Sequence, residues 1–309
     1  MVNNKNVSHI ILVIFFALGC RVNQIELEKT IFVVHNQQIE LIRTDSLFEW
    51  YSKKQDISDY VAASNQFLYG PIQQEMLVNA EAPFMFETIR APYQQGLHLE
   101  KEIALLKSSD LMGLVKEALG KVTSNLPGPN TKIVIMPANP AAHDLFTKYN
   151  ICMNAVTVGS GKIIIQIDPT FPQWKETLPY VIAHEYHHSA WISRNWKNAD
   201  FSVLEYLIFE GRADAFATSM YPNVSRPWTT MINKEQETIV WKKIEDEVYQ
   251  RGPDRINKAM FGDNDIPIGS GYTIGFNIVQ SYKLNHPDVS DKAMIDISAD
   301  ELYNQSHYK

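Results

Sequence analysis

The stretch VIAHEYHHSA, residues 181–190, places three histidines and a glutamate within five consecutive positions. His184, Glu185 and His188 match the pattern H-E-x-x-H. On a helix, four residues turn the chain by about 400°, so His184 and His188 project about 40° apart, one turn above the other. Two imidazoles placed in this way can bind one zinc ion, while the glutamate lies beside the first of them. The spacing therefore predicts a metal site on a helix.

The surrounding residues predict that this helix is buried. Thr177 is positioned to cap its N-terminus, Pro179 would then lie in the first turn, and no helix breaker follows until past Arg194. The flanking segments LPYVIA and SAWI are mostly apolar. A polar helix face is the alternative, but burying histidines and a glutamate without partners is costly. We expect His187 to point away from the metal.

A hydrolytic zinc site needs a third protein ligand and an open fourth position. The next predicted helix, 202–219, offers Glu205 and Glu210. These two lie about 140° apart around a helix, so only one of them can face the metal. Asp214 follows Glu210 by four residues, on the same face, and can accept a hydrogen bond from the outer nitrogen of a metal-bound histidine. Because Glu205 has no such companion, we favour Glu210 as the third ligand.

Catalytic roles follow from the same pattern. Glu185, beside the first ligand, is the predicted general base that takes a proton from the attacking water. A tetrahedral oxyanion also needs a hydrogen-bond donor. Tyr272, in the segment SGYT, is the predicted donor, because its phenol can donate and the flanking glycine lets the backbone approach closely. A tyrosine that only packs at a helix start is the alternative, and His143 and His286 are the rival donors.

The whole chain has the composition of an ordinary globular protein. It contains 309 residues, 45% hydrophobic and 20% charged, enough for one large domain or two modest ones. The formal net charge is -7, so the basic footprint of a nucleic-acid-binding protein is absent. We therefore set that class aside.

The first residues, 1–19, are typical of a secretion signal. A polar segment with one cation precedes the apolar run 10–18, which is too short to span a bilayer as a helix. The run ends in A-L-G-C, which resembles a bacterial lipobox, although Leu18 stands where a smaller residue is commoner. This implies lipidation of Cys20 and a lipid anchor in the cell membrane or outer membrane, on the extracytoplasmic side. A plain secretory signal or an uncleaved anchor is the alternative. Cys152 then has no disulfide partner.

The remaining chain predicts an α+β fold that is mainly helical, with a small β-sheet preceding the active-site helix. Two short strands around a polar turn are predicted at 31–43, followed by helices over 46–126. After the break PGPN at 127–130, KIVIMP is predicted as a buried strand and 155–167 as a hairpin with a Gly-Ser-Gly turn. Later helices are clearest at 177–194, 202–219, 234–250 and 272–285.

Three segments together resemble a known family. HEYHH, LEYLIFEGRADAFA and GYTIGFNIVQSY are similar to a bacterial family of predicted zinc-dependent proteases. H-E-x-x-H followed by a glutamate and an aspartate on the next helix also resembles the gluzincin metallopeptidases, although the gap before Glu210 is slightly long for them. The resemblance covers roughly residues 125–300. It implies a gluzincin-like core, Zn²⁺ as cofactor and a peptide or protein substrate. In gluzincins an edge strand before the active-site helix binds extended peptide, which would be 156–158 or 163–167 here; a strand that serves only the core is the alternative.

These observations predict a signal peptide at 1–19, a mainly helical N-terminal region at 20–126 and a zinc metallopeptidase-like domain at 127–309. The leading hypothesis is a lipid-anchored zinc peptidase that hydrolyses peptide bonds with metal-activated water. A non-catalytic zinc-binding lipoprotein, acting as a binding or interaction module, is the alternative. Glu185 separates the two, because a structural zinc site usually has four protein ligands and needs no general base. Hydrolysis of a non-peptide amide or ester stays open.

Overall fold

The computed structural model describes residues 27–55 and 57–308. The predicted signal peptide and Cys20 lie outside these ranges, so lipidation stays a prediction. Among the described helices, none is long and apolar enough to cross a membrane. The strands are β1 Glu28–Val34, β2 Gln37–Arg43, β3 Thr131–Pro137, β4 Met153–Gly159 and β5 Lys162–Ile167.

Helices make up most of the described chain, which confirms the mainly helical α+β fold. A π-helical segment, Ser64–Tyr69, lies between the α-helices Tyr60–Ala63 and Gly70–Met76. The α-helices are α1 Asp45–Ser52, α2 Tyr60–Ala63, α3 Gly70–Met76, α4 Leu97–Lys107, α5 Leu111–Asn125, α6 His143–Tyr149, α7 Trp174–Asn195, α8 Val203–Met220, α9 Lys234–Ile244, α10 Pro253–Phe261, α11 Ser270–Asn285, α12 Asp291–Met294 and α13 Ala299–Ser306.

The five described strands form one mixed sheet in the order β1-β2-β3-β5-β4. The inner strands β2, β3 and β5 are parallel, whereas β1 and β4 pair antiparallel at the two edges. Both predicted strand pairs are confirmed. The sheet joins strands from either side of the boundary predicted near residue 127, and that boundary itself stays a prediction.

Successive side chains of β3 pack against helices on opposite faces of the sheet. Ile133 and Ile135 pack in a hydrophobic cluster with α5 and α7. Val134 and Met136, on the opposite face, pack in a second cluster with residues of α1, α3 and α4. Successive side chains of a strand point to opposite faces, so an apolar run of this kind serves two layers at once. One face of the sheet therefore packs against α7, the helix that carries H-E-x-x-H.

The C-terminal helices form a third apolar cluster around α8 and α11. These two helices cross with their backbones in contact at Gly211 and Gly275. A Cβ atom at Gly211 would overlap the Gly275 carbonyl, and one at Gly275 would overlap the carbonyl of Leu207. Glycine is needed here because no side chain fits between the two backbones. The crossing holds α8, and with it Glu210, in a fixed position beside α7.

The start of α7 differs from the prediction. The helix begins at Trp174 with Gln173 as N-cap, so Thr177 does not cap it and Pro179 lies in its second turn. Thr177 instead donates its hydroxyl to the Gln173 carbonyl oxygen, at 3.1 Å. Pro179 has no amide hydrogen, so the helix lacks the backbone hydrogen bond to the carbonyl of Lys175 at this position.

The helix predicted at 234–250 also ends early, at Ile244. The chain then makes a 3-10 turn, Glu245–Glu247. The carbonyl oxygens of Val248 and Gln250 accept hydrogen bonds from the amides of Leu204 and Val203, at 2.7 and 3.0 Å. Helix N-termini have amides without partners inside the helix. Residues 248–250 satisfy two of them at the start of α8, and this bends the chain away from a longer helix.

The prediction that a peptide could add to residues 163–167 is wrong. These residues lie in β5, which pairs with β3 on one side and β4 on the other. Strand addition needs an edge with free backbone groups. β4 is such an edge, although the Ala82 amide already donates to the Val158 carbonyl oxygen there, at 2.9 Å. Peptide binding along 156–158 stays a prediction.

Candidate metal centre

Helices α7 and α8 bring three predicted ligands together. The Nε2 atoms of His184 and His188 are 2.9 Å apart, and Oε2 of Glu210 lies 3.3 and 3.4 Å from them. These three atoms could hold one metal ion between them. In a tetrahedral zinc site with bonds of about 2.0–2.1 Å, neighbouring ligand atoms lie about 3.3 Å apart. The spacing of the donor atoms therefore fits zinc.

Asp214 orients the first of these imidazoles. Its Oδ1 atom accepts hydrogen bonds from Nδ1 of His184 at 3.1 Å, the Tyr180 hydroxyl at 2.9 Å and Nε1 of Trp228 at 2.8 Å. Because a carboxylate only accepts, Nδ1 of His184 is the donor to Asp214, which leaves Nε2 as the nitrogen that faces the centre and could bind a metal. Asp214 thus lies where the sequence predicted, whereas the contributions of Tyr180 and Trp228 were not foreseen.

Charge balance at the centre favours a cation. Glu185, Glu210 and Asp214 are only 5%, 6% and 0% exposed. Among residues 27–55 and 57–308, the ion-pair partners of Glu210 and Asp214 are His184 and His188, and no lysine or arginine pairs with any of the three acids. Burying several carboxylates without a compensating charge is strongly unfavourable. Two imidazole nitrogens and one carboxylate, packed among buried acids, are a donor set that suits Zn²⁺.

The ionisation of Glu210 follows from its neighbours. Burial would raise the pKa of this carboxyl, but the adjacent His188 and His184 rings outweigh burial and hold the pKa well below its ordinary value. Glu210 is therefore a carboxylate and can act as a ligand.

His187 lies outside this group, as expected. Its ring is fully buried against Phe216, and neither ring nitrogen has a hydrogen-bond partner among the described residues. Burial, with a further contribution from His188, lowers the pKa of His187 well below its ordinary value, so the ring is neutral. Its role is packing between α7 and α8.

The carboxylate of Glu185 is positioned by a strand residue. Oγ1 of Thr157, on β4, lies 2.7 Å from Oε2 of Glu185 and 2.9 Å from its backbone oxygen. Burial raises the pKa of Glu185, and this effect outweighs the opposing influence of His184 and His188. A carboxylate that is buried and held by one hydroxyl is a better proton acceptor than one in water. The sequence alone did not indicate Thr157.

Two phenols lie near Glu210. Tyr272 is in the first turn of α11, and Tyr206 lies on α8, four residues before Glu210. Burial and, next, the Glu210 carboxylate raise the pKa of both phenols well above their ordinary value. Both therefore remain protonated and able to donate. Tyr206 was missed by the sequence analysis, although its spacing of four residues from Glu210 indicates a shared helix face.

The rejected candidates have other partners. The Glu205 carboxylate accepts a hydrogen bond from the backbone amide of Ser202, the N-cap of α8, at 2.7 Å, and the two residues form a capping box. His286 follows α11 and stacks on Tyr282; it is about 21 Å along the helix from Tyr272, at 1.5 Å per residue. His143 bonds to an aspartate elsewhere, at 2.8 Å. None of these three side chains belongs to the centre.

Two histidines four residues apart on one helix, a glutamate on the next and a second glutamate beside the first histidine form the arrangement that is typical of zinc metallopeptidase sites. Residues 111–304 match the family model described as "Predicted Zn-dependent protease (DUF2268)", and the chain belongs to this family. No solved structure matches the chain.

Two relatives from Bacillus subtilis (strain 168) are similar to parts of the chain. The uncharacterized protein YjfC is 30% identical over 132 residues, which are 38% of this chain and 44% of YjfC. The uncharacterized protein YjaZ is 24% identical over 187 residues, 58% of this chain and 69% of YjaZ. The match thus spans less than half the length of YjfC.

Removing a ligand should remove one zinc ion. After loading with Zn²⁺ and dialysis, we expect His184→Ala, His188→Ala or Glu210→Ala to retain one equivalent less than the parent chain, because two donors hold zinc poorly. Elemental analysis gives the stoichiometry. His286→Ala is the matched control and should leave it unchanged. Parent-like zinc content in any ligand variant would contradict the assignment.

Proposed function

We propose that the protein is a zinc-dependent peptidase, with His184, His188 and Glu210 as metal ligands and Glu185 as general base. One observation carries the proposal: the two Nε2 atoms and the Glu210 Oε2 atom converge within 3.4 Å of one another in a buried site. Membership of a family of predicted zinc-dependent proteases supports the same reaction class.

The three ligands account for only part of a tetrahedral shell. A catalytic zinc centre keeps its fourth position for water or substrate, whereas a structural centre is closed by four protein ligands. Zn²⁺ bound here would supply Lewis acidity, which acidifies water and polarises a substrate carbonyl. Peptide hydrolysis is therefore favoured over the alternative of a non-catalytic zinc-binding module.

Glu185 performs the proton transfers in this proposal. Its carboxylate takes a proton from the attacking water and passes it to the nitrogen of the leaving amine, so one group serves both steps. The Thr157 hydroxyl, 2.7 Å from Oε2 of Glu185, restricts the carboxylate to one orientation. Burial raises the pKa of Glu185, which strengthens it as a base.

The phenols of Tyr272 and Tyr206 are the candidate donors to the developing oxyanion. Preorganised donors stabilise such a charge strongly because they need no rearrangement during the reaction. Tyr272 comes from α11 and Tyr206 from α8, and the Glu210 carboxylate acts on the pKa of both. We retain Tyr272 as the first candidate and add Tyr206 beside it.

We further propose that the enzyme acts outside the cytoplasm, on peptide or protein segments, and is anchored by a lipid on Cys20. The support for this part is the apolar run 10–18 followed by A-L-G-C in the sequence. Lipidation of a cysteine at the mature N-terminus would hold the active site near a membrane surface.

Glu185→Gln should retain zinc but lose turnover. The glutamine amide has nearly the same shape as the carboxylate but cannot take up a proton. We therefore expect the rate of peptide cleavage to fall by roughly 100-fold or more. Cleavage of a peptide library, followed by mass spectrometry with and without a chelator, measures this. Unchanged cleavage by the variant would remove Glu185 from the role of base, and no cleavage by the zinc-loaded parent would favour the binding-module alternative.

Tyr272→Phe and Tyr206→Phe distinguish the two phenols. The variant that removes the oxyanion donor should lower kcat by roughly 100-fold or more without loss of zinc. The other variant should change kcat only slightly, and it serves as the control. If both variants retain parent kcat, neither phenol is the donor.

Cys20→Ser tests the anchor. Expressed from the full sequence in a bacterium, the parent chain should enter the detergent phase on phase separation, and Cys20→Ser should stay in the aqueous phase. Cys152→Ala, at the second cysteine of the sequence, is the control and should behave as the parent. Identical partitioning of the parent and Cys20→Ser would exclude the lipid anchor.

A further inference from the structure

A second group of ligating side chains lies at the far end of β5. His98 is in the first turn of α4, His143 begins α6, and Asp168 follows the last residue of β5. Oδ2 of Asp168 is 2.8 Å from Nδ1 of His143 and 3.5 Å from Nε2 of His98. The ligand atoms of these three residues all lie within 4.8 Å of one another.

A buried acid, Glu102, lies beside this group. It lies one turn after His98, and its Oε1 atom is 3.1 Å from Nε2 of that histidine. The side chain is 0% exposed, and its Oε2 atom has no hydrogen-bond partner among the described residues. A fully buried carboxylate oxygen without a partner is costly and needs an explanation. A bound cation supplies one.

The geometry of Asp168 also indicates a ligand. The residue is fully buried, and its Oδ1 atom accepts from both the amide and the hydroxyl of Thr170. This leaves Oδ2 directed at the two imidazoles. Among residues 27–55 and 57–308, no lysine or arginine forms an ion pair with Asp168 or Glu102, so the two buried acids face only histidines. A dication bound here would balance the buried charge of Asp168.

We propose that His98, His143 and Asp168 bind a second divalent transition-metal ion, with zinc as the best fit, in a structural site, and that Glu102, beside His98, joins them as the fourth ligand when the ion is bound. Two imidazoles and two carboxylates would fill a tetrahedral shell and leave no position for substrate, in contrast to the three-ligand centre on α7 and α8. The site is separate from that centre. Asp168 lies five residues beyond Ile163, the residue of β5 that pairs with Thr157, which corresponds to about 17 Å along a strand.

The residues of this site come from two parts of the chain. His98 and Glu102 belong to α4, before the family match begins at residue 111, whereas His143 and Asp168 lie inside it. A metal bound there would tie the N-terminal helices to the C-terminal end of the inner strand β5, inside the family match. The rings of His98 and His143 are 33% and 39% exposed, so the ion has a route from solvent.

The test counts zinc in four full-length chains after loading and dialysis: the parent, His184→Ala/His188→Ala, His98→Gln/His143→Gln, and all four substitutions together. We expect two equivalents in the parent, one in each double variant and none in the quadruple variant. Elemental analysis gives the count. His286→Ala should keep two equivalents.

A second measurement uses a variant in which the new site is intact. In His184→Ala/His188→Ala, added Zn²⁺ should raise Tm by several degrees, because a ligand that binds only the folded state stabilises it. The quadruple variant should show no such rise. The proposal is overturned if His184→Ala/His188→Ala binds no zinc and its Tm does not respond, or if His98→Gln/His143→Gln still holds two equivalents. If the parent instead holds one ion that only the His98/His143 substitutions remove, this inference stands and the proposed peptidase centre fails.

Discussion

The buried charge of Glu210 is the constraint on which the active part of the structure depends. Its carboxylate is 6% exposed, and the ion-pair partners that the described residues offer are the imidazoles of His184 and His188. A carboxylate in such surroundings must be neutralised by protonation, by imidazolium or by a metal. The neighbouring rings keep its pKa low, so protonation is disfavoured. A divalent ion held by both rings and the carboxylate at once would provide this neutralisation, and it is the state that the proposed hydrolytic site requires.

The remaining fold can be understood as support for this group. The glycines at 211 and 275 let α8 and α11 cross with their backbones in contact, which fixes the position of α8 and with it that of Glu210. The buried guanidinium of Arg212 donates to the Ile295 carbonyl, at 3.2 Å, and ties the same helix to the C-terminal segment. On the other side, the sheet holds α7 through Thr157. Precise support of this kind is what a catalytic constellation requires, because small displacements of ligands or base cost rate steeply.

The part of the site that could be predicted from the sequence is the part that is local in the chain. The spacing of His184 and His188 is set by helix geometry alone, and Asp214 follows Glu210 by one turn. Thr157 could not be predicted, because it reaches Glu185 across 28 residues and through a sheet edge. Strand order and pairing are equally non-local. The helix start at Trp174 was mispredicted because a proline in the second turn resembles one in the first.

Anomalous diffraction at the zinc absorption edge, from crystals of the zinc-loaded chain, tests the central claim most directly. The account predicts an anomalous peak about 2.0–2.2 Å from Nε2 of His184, Nε2 of His188 and a carboxylate oxygen of Glu210. A peak there that touches both rings but no acidic side chain, or no peak between these helices, would contradict it.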